Sequence, residues 1–205
     1  SNIIHGKYLY RRMGLALKNC GRDILFSACS WGADKTAEWI RETGANMWRS
    51  TGDIFDSWES VKNLTNEQEA ILPYGGMGCF NDMDMLVVGL YGKKGPSGAL
   101  GGTGCTDIEY QSQMSLWSIM NSPLAATNDV RKMNAETKRI LLNEEVIAIN
   151  QDALGKQAVC KIKNDIWNVF VRPLANGDFA IAIVNRSEKT QNSTLNLAEL
   201  GINDA

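Results

Sequence analysis

Met47-Trp48-Arg49-Ser50-Thr51-Gly52-Asp53-Ile54-Phe55-Asp56-Ser57-Trp58 is the stretch from which the fold of this chain can be read. It opens as a short apolar run just past Gly44, which reads as a strand beginning after a helix stop. It then places one cation and two carboxylates within eight residues before Trp58 starts a new amphipathic segment. In a βα unit, the C-terminal end of the strand and the loop after it are where catalytic groups collect. Arg49 on the strand and Asp53 four residues later on the loop can both face that mouth. An Asp and an Arg that merely cap the next helix would show the same spacing.

Outward from this stretch, apolar periodicity predicts alternating strands and helices. Upstream lie a helix over Asp34 to Glu42 stopped by Gly44, a continuous apolar run over Ile24 to Cys29, and a helix over residues 6–20. An unbroken apolar run reads as a strand buried on both faces of a parallel sheet. Downstream come a helix over Ser57 to Leu72, capped by Ser57 or Asp56, and then a strand region over Asp82 to Val88. A helix over Asp107 to Asn121, apolar on most sides, precedes a short strand over Pro123 to Thr127. Asn134 starts a helix reaching about Asn143, with a further turn over Glu145 to Asn150. Strands and helices at this spacing mean βα units and a parallel sheet.

After Gly155 the pattern changes. Ala158–Ile162, Ile166–Arg172, Phe179–Asn185 and Ser193–Leu197 read as strands, and Asn176-Gly177 is a hairpin signal. The tail is therefore predicted as a separate antiparallel module joined at Leu154–Gln157.

Several blocks resemble one enzyme family in its order. Trp48-Arg49 with Asp53-Ile54 and Asp56-Ser57-Trp58 is the first. Asn81-Asp82-Met83-Asp84-Met85-Leu86, Leu116-Trp117-Ser118-Ile119-Met120-Asn121-Ser122-Pro123-Leu124 and Asn128-Asp129-Val130-Arg131 follow. Val146-Ile147-Ala148-Ile149-Asn150-Gln151-Asp152 and Leu154-Gly155-Lys156-Gln157 close the series. Together they are similar to glycoside hydrolase family 27, the α-galactosidases and α-N-acetylgalactosaminidases. The resemblance implies an α/β fold: the C-terminal half of a (β/α)8 TIM barrel followed by a truncated antiparallel β-sandwich. Residues 1–155 would be a partial catalytic barrel and 156–205 the start of the C-terminal β domain. A whole barrel takes about 250 residues, and about four βα units are legible here.

The resemblance also implies a retaining glycosidase, which needs two carboxyl groups about 5–5.5 Å apart. Asp53 matches the family's general acid/base, for which neighbouring carboxylates and a dry pocket would hold the proton near neutral pH. Arg49 matches a sugar-binding arginine, and Asp84 a carboxylate that accepts from sugar hydroxyls, with Met85 packed beside it. The family's nucleophile sits in a Lys-x-Asp-Gly segment, which this sequence lacks. Cys29-Ser30-Trp31-Gly32-Ala33 would form the pocket at the sugar's second carbon. Galactosidases of the family usually carry Glu at the Ser30 position. The N-acetylgalactosaminidases carry Ser there and Ala three positions on, as here. Packing at a strand end is the alternative account of Ser30 and Ala33.

Composition bounds the rest. The 205 residues carry a net charge of −2, and no basic cluster exceeds a pair, so no nucleic-acid footprint is present. No apolar run is long enough to cross a membrane. Cys20, Cys29, Cys79, Cys105 and Cys160 are odd in number and scattered, which argues for a reducing cytoplasm over a disulfide framework. No signal peptide is evident, so the Asn-x-Ser/Thr matches at Asn63, Asn185 and Asn192 carry little weight. Asp82-Met83-Asp84 has no His or further carboxylate beside it in sequence, which disfavours a metal site, and no cofactor is implied. His5 is a bystander, which leaves no Ser-His-Asp triad in the body of the chain. The glycine-rich loop Gly92–Gly104 lacks phosphate-loop spacing and reads as a flap beside the active-site mouth. Half a barrel leaves parallel edges unpaired, so a homo-oligomer of this chain is expected, with a galactose-type sugar as substrate.

Overall fold

The computed structural model describes residues 2–94 and 100–202, so the Gly92–Gly104 flap lies partly outside the described residues. Helix α1 (Asn2–Lys18) comes first and packs on a 3-10 turn at Ile40–Thr43. The approach is close: a Cβ at Gly14 would stand 1.9 Å from the Thr43 carbonyl oxygen, so only glycine fits there.

Strands β1 (Ser27–Cys29), β2 (Met47–Arg49) and β3 (Phe80–Asp82) pair in parallel in the order β1-β2-β3. Their register puts Cys29, Arg49 and Asp82 in one row. A single parallel bridge, Leu86 to Ala126, continues the arc as a fourth position. Helices α2 (Trp58–Glu69), α3 (Asp107–Ile119), α4 (Ala135–Leu141) and α5 (Glu144–Asn150) alternate with it, and the arc is that of half a (β/α)8 barrel. Ser57, not Asp56, caps α2, its side chain accepting from the Ser60 amide. A capping box between Thr106 and Glu109 starts α3.

The antiparallel module is a sheet of β4 (Val159–Lys163), β5 (Trp167–Pro173) and β6 (Phe179–Asn185), in that order. The turn between β5 and β6 uses Gly177 at φ 93°, a conformation that favours glycine. One hydrophobic core joins the two regions. Tyr110, Met114, Leu116, Trp117, Ile119 and Met120 of the α3 segment share it with Ala158, Phe170 and Ala180 of the antiparallel module.

Four expectations are corrected. The run Ile24–Cys29 forms a strand only at Ser27–Cys29, where Ala28 alone is buried, and Leu25 is 68% exposed. The cause is position: β1 pairs on one side only, and its inner face lacks a covering layer among the described residues. Asp34–Glu42 is not an α-helix but two 3-10 segments, with Asp34 and Lys35 at φ 54°. Buried Trp39 sets this path, its indole nitrogen donating to the Asp34 carbonyl at 2.9 Å. The Asp82–Val88 region leaves the ladder after Asp82, because Asp84 adopts φ 77°. Finally, Ser193–Leu197 is not a strand. Leu195, Leu200 and Ile202 instead pack onto Val169 and Val171, covering one face of the sheet.

Candidate active site

At the C-terminal ends of β2 and β3, one guanidinium gathers the predicted carboxylates. Arg49 Nη2 donates to Asp53 Oδ1 at 3.0 Å, and lies 3.1 Å from Asp84 Oδ2. It also donates to the Gly52 carbonyl at 2.8 Å, which ties the loop before Asp53 to the strand. Side-chain exposure separates the two acids, at 4% for Asp84 and 61% for Asp53. Removing one partner from a buried ion pair costs about 3–5 kcal/mol, so Arg49 and Asp84 depend on each other.

Asp84 is held from every side. Its Oδ2 accepts from the Ile54 amide at 2.8 Å, its amide donates to Asp82 Oδ1 at 2.9 Å, and its carbonyl accepts from Trp117 Nε1 at 2.6 Å. The left-handed backbone at a non-glycine residue costs about 1–3 kcal/mol and persists only when the surroundings over-determine it. Burial pushes the Asp82 carboxyl above its ordinary value, while the Asp84 amide and Arg49 pull it back.

Ser30 directly follows Cys29, whose register partner is Arg49, so it stands beside the cluster. Its Oγ is buried and has no hydrogen-bond partner among the described residues. Arg49 Nε is in the same condition. Trp31 (φ 52°) and Ala33 are exposed on the turn that follows, and Met85 is exposed next to Asp84. The dry surroundings expected for Asp53 are absent. Its carboxylate faces solvent because the described residues supply only one wall of the mouth.

Spacing did not reveal Asp56 as an anchor. It is fully buried, accepting from Tyr110 Oη at 2.8 Å and from the Gly92 amide at 2.7 Å. Its own carbonyl accepts from the Gly104 amide at 2.9 Å, so Asp56 clasps both ends of the Gly92–Gly104 loop three residues after Asp53. Burial, and then the facing Asp56 carboxylate, push the Tyr110 phenol up, which keeps it a donor. Burial and the same carboxylate push the Cys105 thiol up to about 12. Asp56→Ala strands the buried Tyr110 hydroxyl and the half-buried Gly92 amide and is expected to cost about 3 kcal/mol. Urea denaturation checks this, and Asp56→Asn, which keeps an acceptor, should lose less.

Among the described residues, no group of three or more His, Cys, Asp or Glu side chains could hold a metal ion. Among them, too, no helix is long and apolar enough to cross a membrane.

Comparison with known proteins places the chain in a family. A family model described as "Alpha galactosidase A" matches residues 1–152, and one for the "Alpha galactosidase C-terminal beta sandwich domain" matches residues 164–205. The chain is 37% identical to an alpha-galactosidase of Oryza sativa over 94% of its own length and 43% of that protein. It is 36% identical to human alpha-galactosidase A over 94% of its length and 44% of that protein. Among solved structures, alpha-galactosidase I from Mortierella vinacea superposes with a TM-score of 0.79 at 30% identity, covering 88% of this chain and 47% of that one. A β-L-arabinopyranosidase from Geobacillus stearothermophilus superposes at 0.83 with 29% identity, covering 96% of this chain and 45% of that one. This chain belongs to the alpha-galactosidase family, glycoside hydrolase family 27. It spans less than half the length of these relatives.

Proposed function

We propose that the chain is the acid/base-bearing half of a retaining α-galactosidase, which releases a terminal, non-reducing, α-linked galactose. The observation that carries this is Arg49 held between Asp53 and Asp84, with Ser30 Oγ and Arg49 Nε left unpartnered beside them. Buried polar atoms without partners are costly, and ring hydroxyls of a sugar would satisfy them. With Asp84 Oδ2 engaged by Arg49 and the Ile54 amide, Oδ1 is the oxygen to accept from a sugar hydroxyl.

In the reaction, a carboxylate nucleophile from the rest of the barrel attacks the anomeric carbon. Asp53 gives its proton to the departing oxygen as the glycosidic bond breaks. Asp53 then takes a proton from water, which attacks the same carbon and frees the enzyme carboxylate. Arg49 keeps Asp53 aimed through both steps, and no metal or cofactor takes part. Met85 and Trp31 border the sugar. Residues 1–155 serve as the catalytic portion and 156–205 as the start of the β domain, a division supported by the extents of the two family matches. All five cysteines are unpaired, which supports a reducing compartment such as the cytoplasm.

Ser30 and Ala33 favour a second reading, α-N-acetylgalactosaminidase, since both are small where a 2-acetamido group would sit. Ser30→Glu in the intact enzyme is expected to shift the kcat/KM ratio of the two nitrophenyl glycosides toward galactose by about 10–200-fold. An unchanged ratio would remove Ser30 from the pocket. A further alternative is a non-catalytic, self-associating half-barrel, or a carbohydrate-binding module without chemistry. A Lys-x-Asp-Gly strand upstream in the gene, with galactoside turnover by the whole product, decides for the enzyme. Lack of turnover decides against it.

A further inference from the structure

Arg172 is a buried cation that the proposed reaction does not use. It lies on β5 with no exposed surface and makes no ion pair among the described residues. Its fork instead reaches across to the barrel. Nη1 donates to the Ser118 carbonyl at 2.8 Å, and Nη2 to Asn121 Oδ1 at 2.7 Å and the Asn150 carbonyl at 3.4 Å. Ser118 and Asn150 are near or at the C-terminal ends of α3 and α5, where backbone carbonyls lack helical partners and the dipole favours a cation. A planar guanidinium can span both ends at once, and an ammonium cannot.

The turn that Arg172 grips also touches the candidate sugar site. Asn121 sits at φ 56°, a left-handed conformation that needs support. Ser122, next along, accepts from the Met83 amide through Oγ at 3.0 Å and from Asn150 Nδ2 through its carbonyl at 2.8 Å. Trp117, one residue before Ser118, donates to the Asp84 carbonyl. Met83 and Asp84 therefore hang from the same turn of chain that Arg172 holds from the other side.

We propose that Arg172 is a positioning residue: from the antiparallel sheet it fixes the Ser118–Ser122 turn, and through it the strained Asp84 backbone that aims a carboxylate at Arg49. The β module is thereby part of the machinery that shapes the mouth. The functional meaning rests on the reading of Asp84 as a sugar-binding residue, but the mechanical link does not.

Amide hydrogen exchange on the 205-residue chain tests the link at two positions, Met83 and Ile54, whose amides donate to Ser122 and Asp84. Arg172→Met is compared with Val169→Ala, a cavity on the opposite face of the same strand, where Val169 packs with Leu200 and Ile202. With the two matched for loss of stability by adjusting urea, Arg172→Met should speed exchange at both amides by about tenfold or more over Val169→Ala. Equal exchange in the two variants would overturn the proposal, since a purely structural role loosens every amide alike. Should Arg172→Met not fold, Arg172→Lys, which keeps the charge and loses the fork, carries the same comparison with the same two outcomes. A galactose titration of an intact enzyme that contains this segment keeps the readings apart: exchange coupling in the 205-residue chain with no sugar binding by the intact enzyme sinks the sugar site and leaves the link standing.

Discussion

Replacing Asp53 by Asn in an enzyme that contains this segment is expected to cut turnover of unactivated galactosides by roughly 10²–10⁴-fold. The amide cannot donate a full proton to a departing sugar oxygen, so a poor leaving group departs only as an unassisted alkoxide. Substrates with good leaving groups need little acid help, and their glycosylation step should suffer least. Fold and binding should survive, because Asp53 is exposed and its carboxylate touches Arg49 alone among the side chains described. Rapid-quench measurements on natural and nitrophenyl galactosides separate the steps. Comparable losses at glycosylation for both substrate types would remove the acid role from Asp53.

The second large effect is expected of the 205-residue chain by itself: no galactoside turnover, and self-association. A retaining site needs a second carboxylate about 5–5.5 Å from the first. The Lys-x-Asp-Gly segment that would supply it is not in this sequence. The same missing wall leaves apolar surface uncovered. Leu25, Met47, Met77, Phe80 and Pro123 line an open cavity of about 550 Å³ on the inner side of the sheet. The outer edge of β1 is unpaired, and β3 is followed by a single bridge only. Open parallel edges and exposed apolar patches mark interfaces, and two copies related by a rotation axis can cover each other. Light scattering should report at least a dimer from the same sample that gives no activity. A monomer would refute the packing argument, and turnover would mean that the nucleophile lies within these residues.

What the sequence made legible, and what it hid, follows from the range of the forces involved. Gly44 ends its segment in the left-handed conformation, and Asn176-Gly177 turns the chain between β5 and β6. These are local effects of backbone sterics, readable from a few residues. The trio Arg49, Asp53 and Asp84 was reached through resemblance, and the structure brings all three within ion-pair distance. Asp34–Glu42 carried a helical pattern, yet Trp39 is anchored in the core and draws the chain into tighter turns. Asp56 looked like a cap because its partner Tyr110 lies fifty-four residues away, beyond any local pattern. Arg172 closes the strand read over Ile166–Arg172, and only the packing of β5 on α3 shows that it is buried.

The shared core of α3 and the antiparallel sheet has a consequence for anyone who would recombine this protein. The seam near Gly155 looks like a place to cut, yet Gly155 is buried and its carbonyl accepts from Asn121 Nδ2 at 3.3 Å. Two residues on, Gln157 lies so close to Gly75 that an added Cβ there would meet its side chain at 1.9 Å. Cutting there would tear open an apolar surface on each piece. A graft of the sheet onto a foreign barrel would have to bring with it the face of α3 that it covers, along with the turn at Asn121 that receives Arg172. The transferable cassette is larger than the topological domain, and its border runs through the middle of a helix.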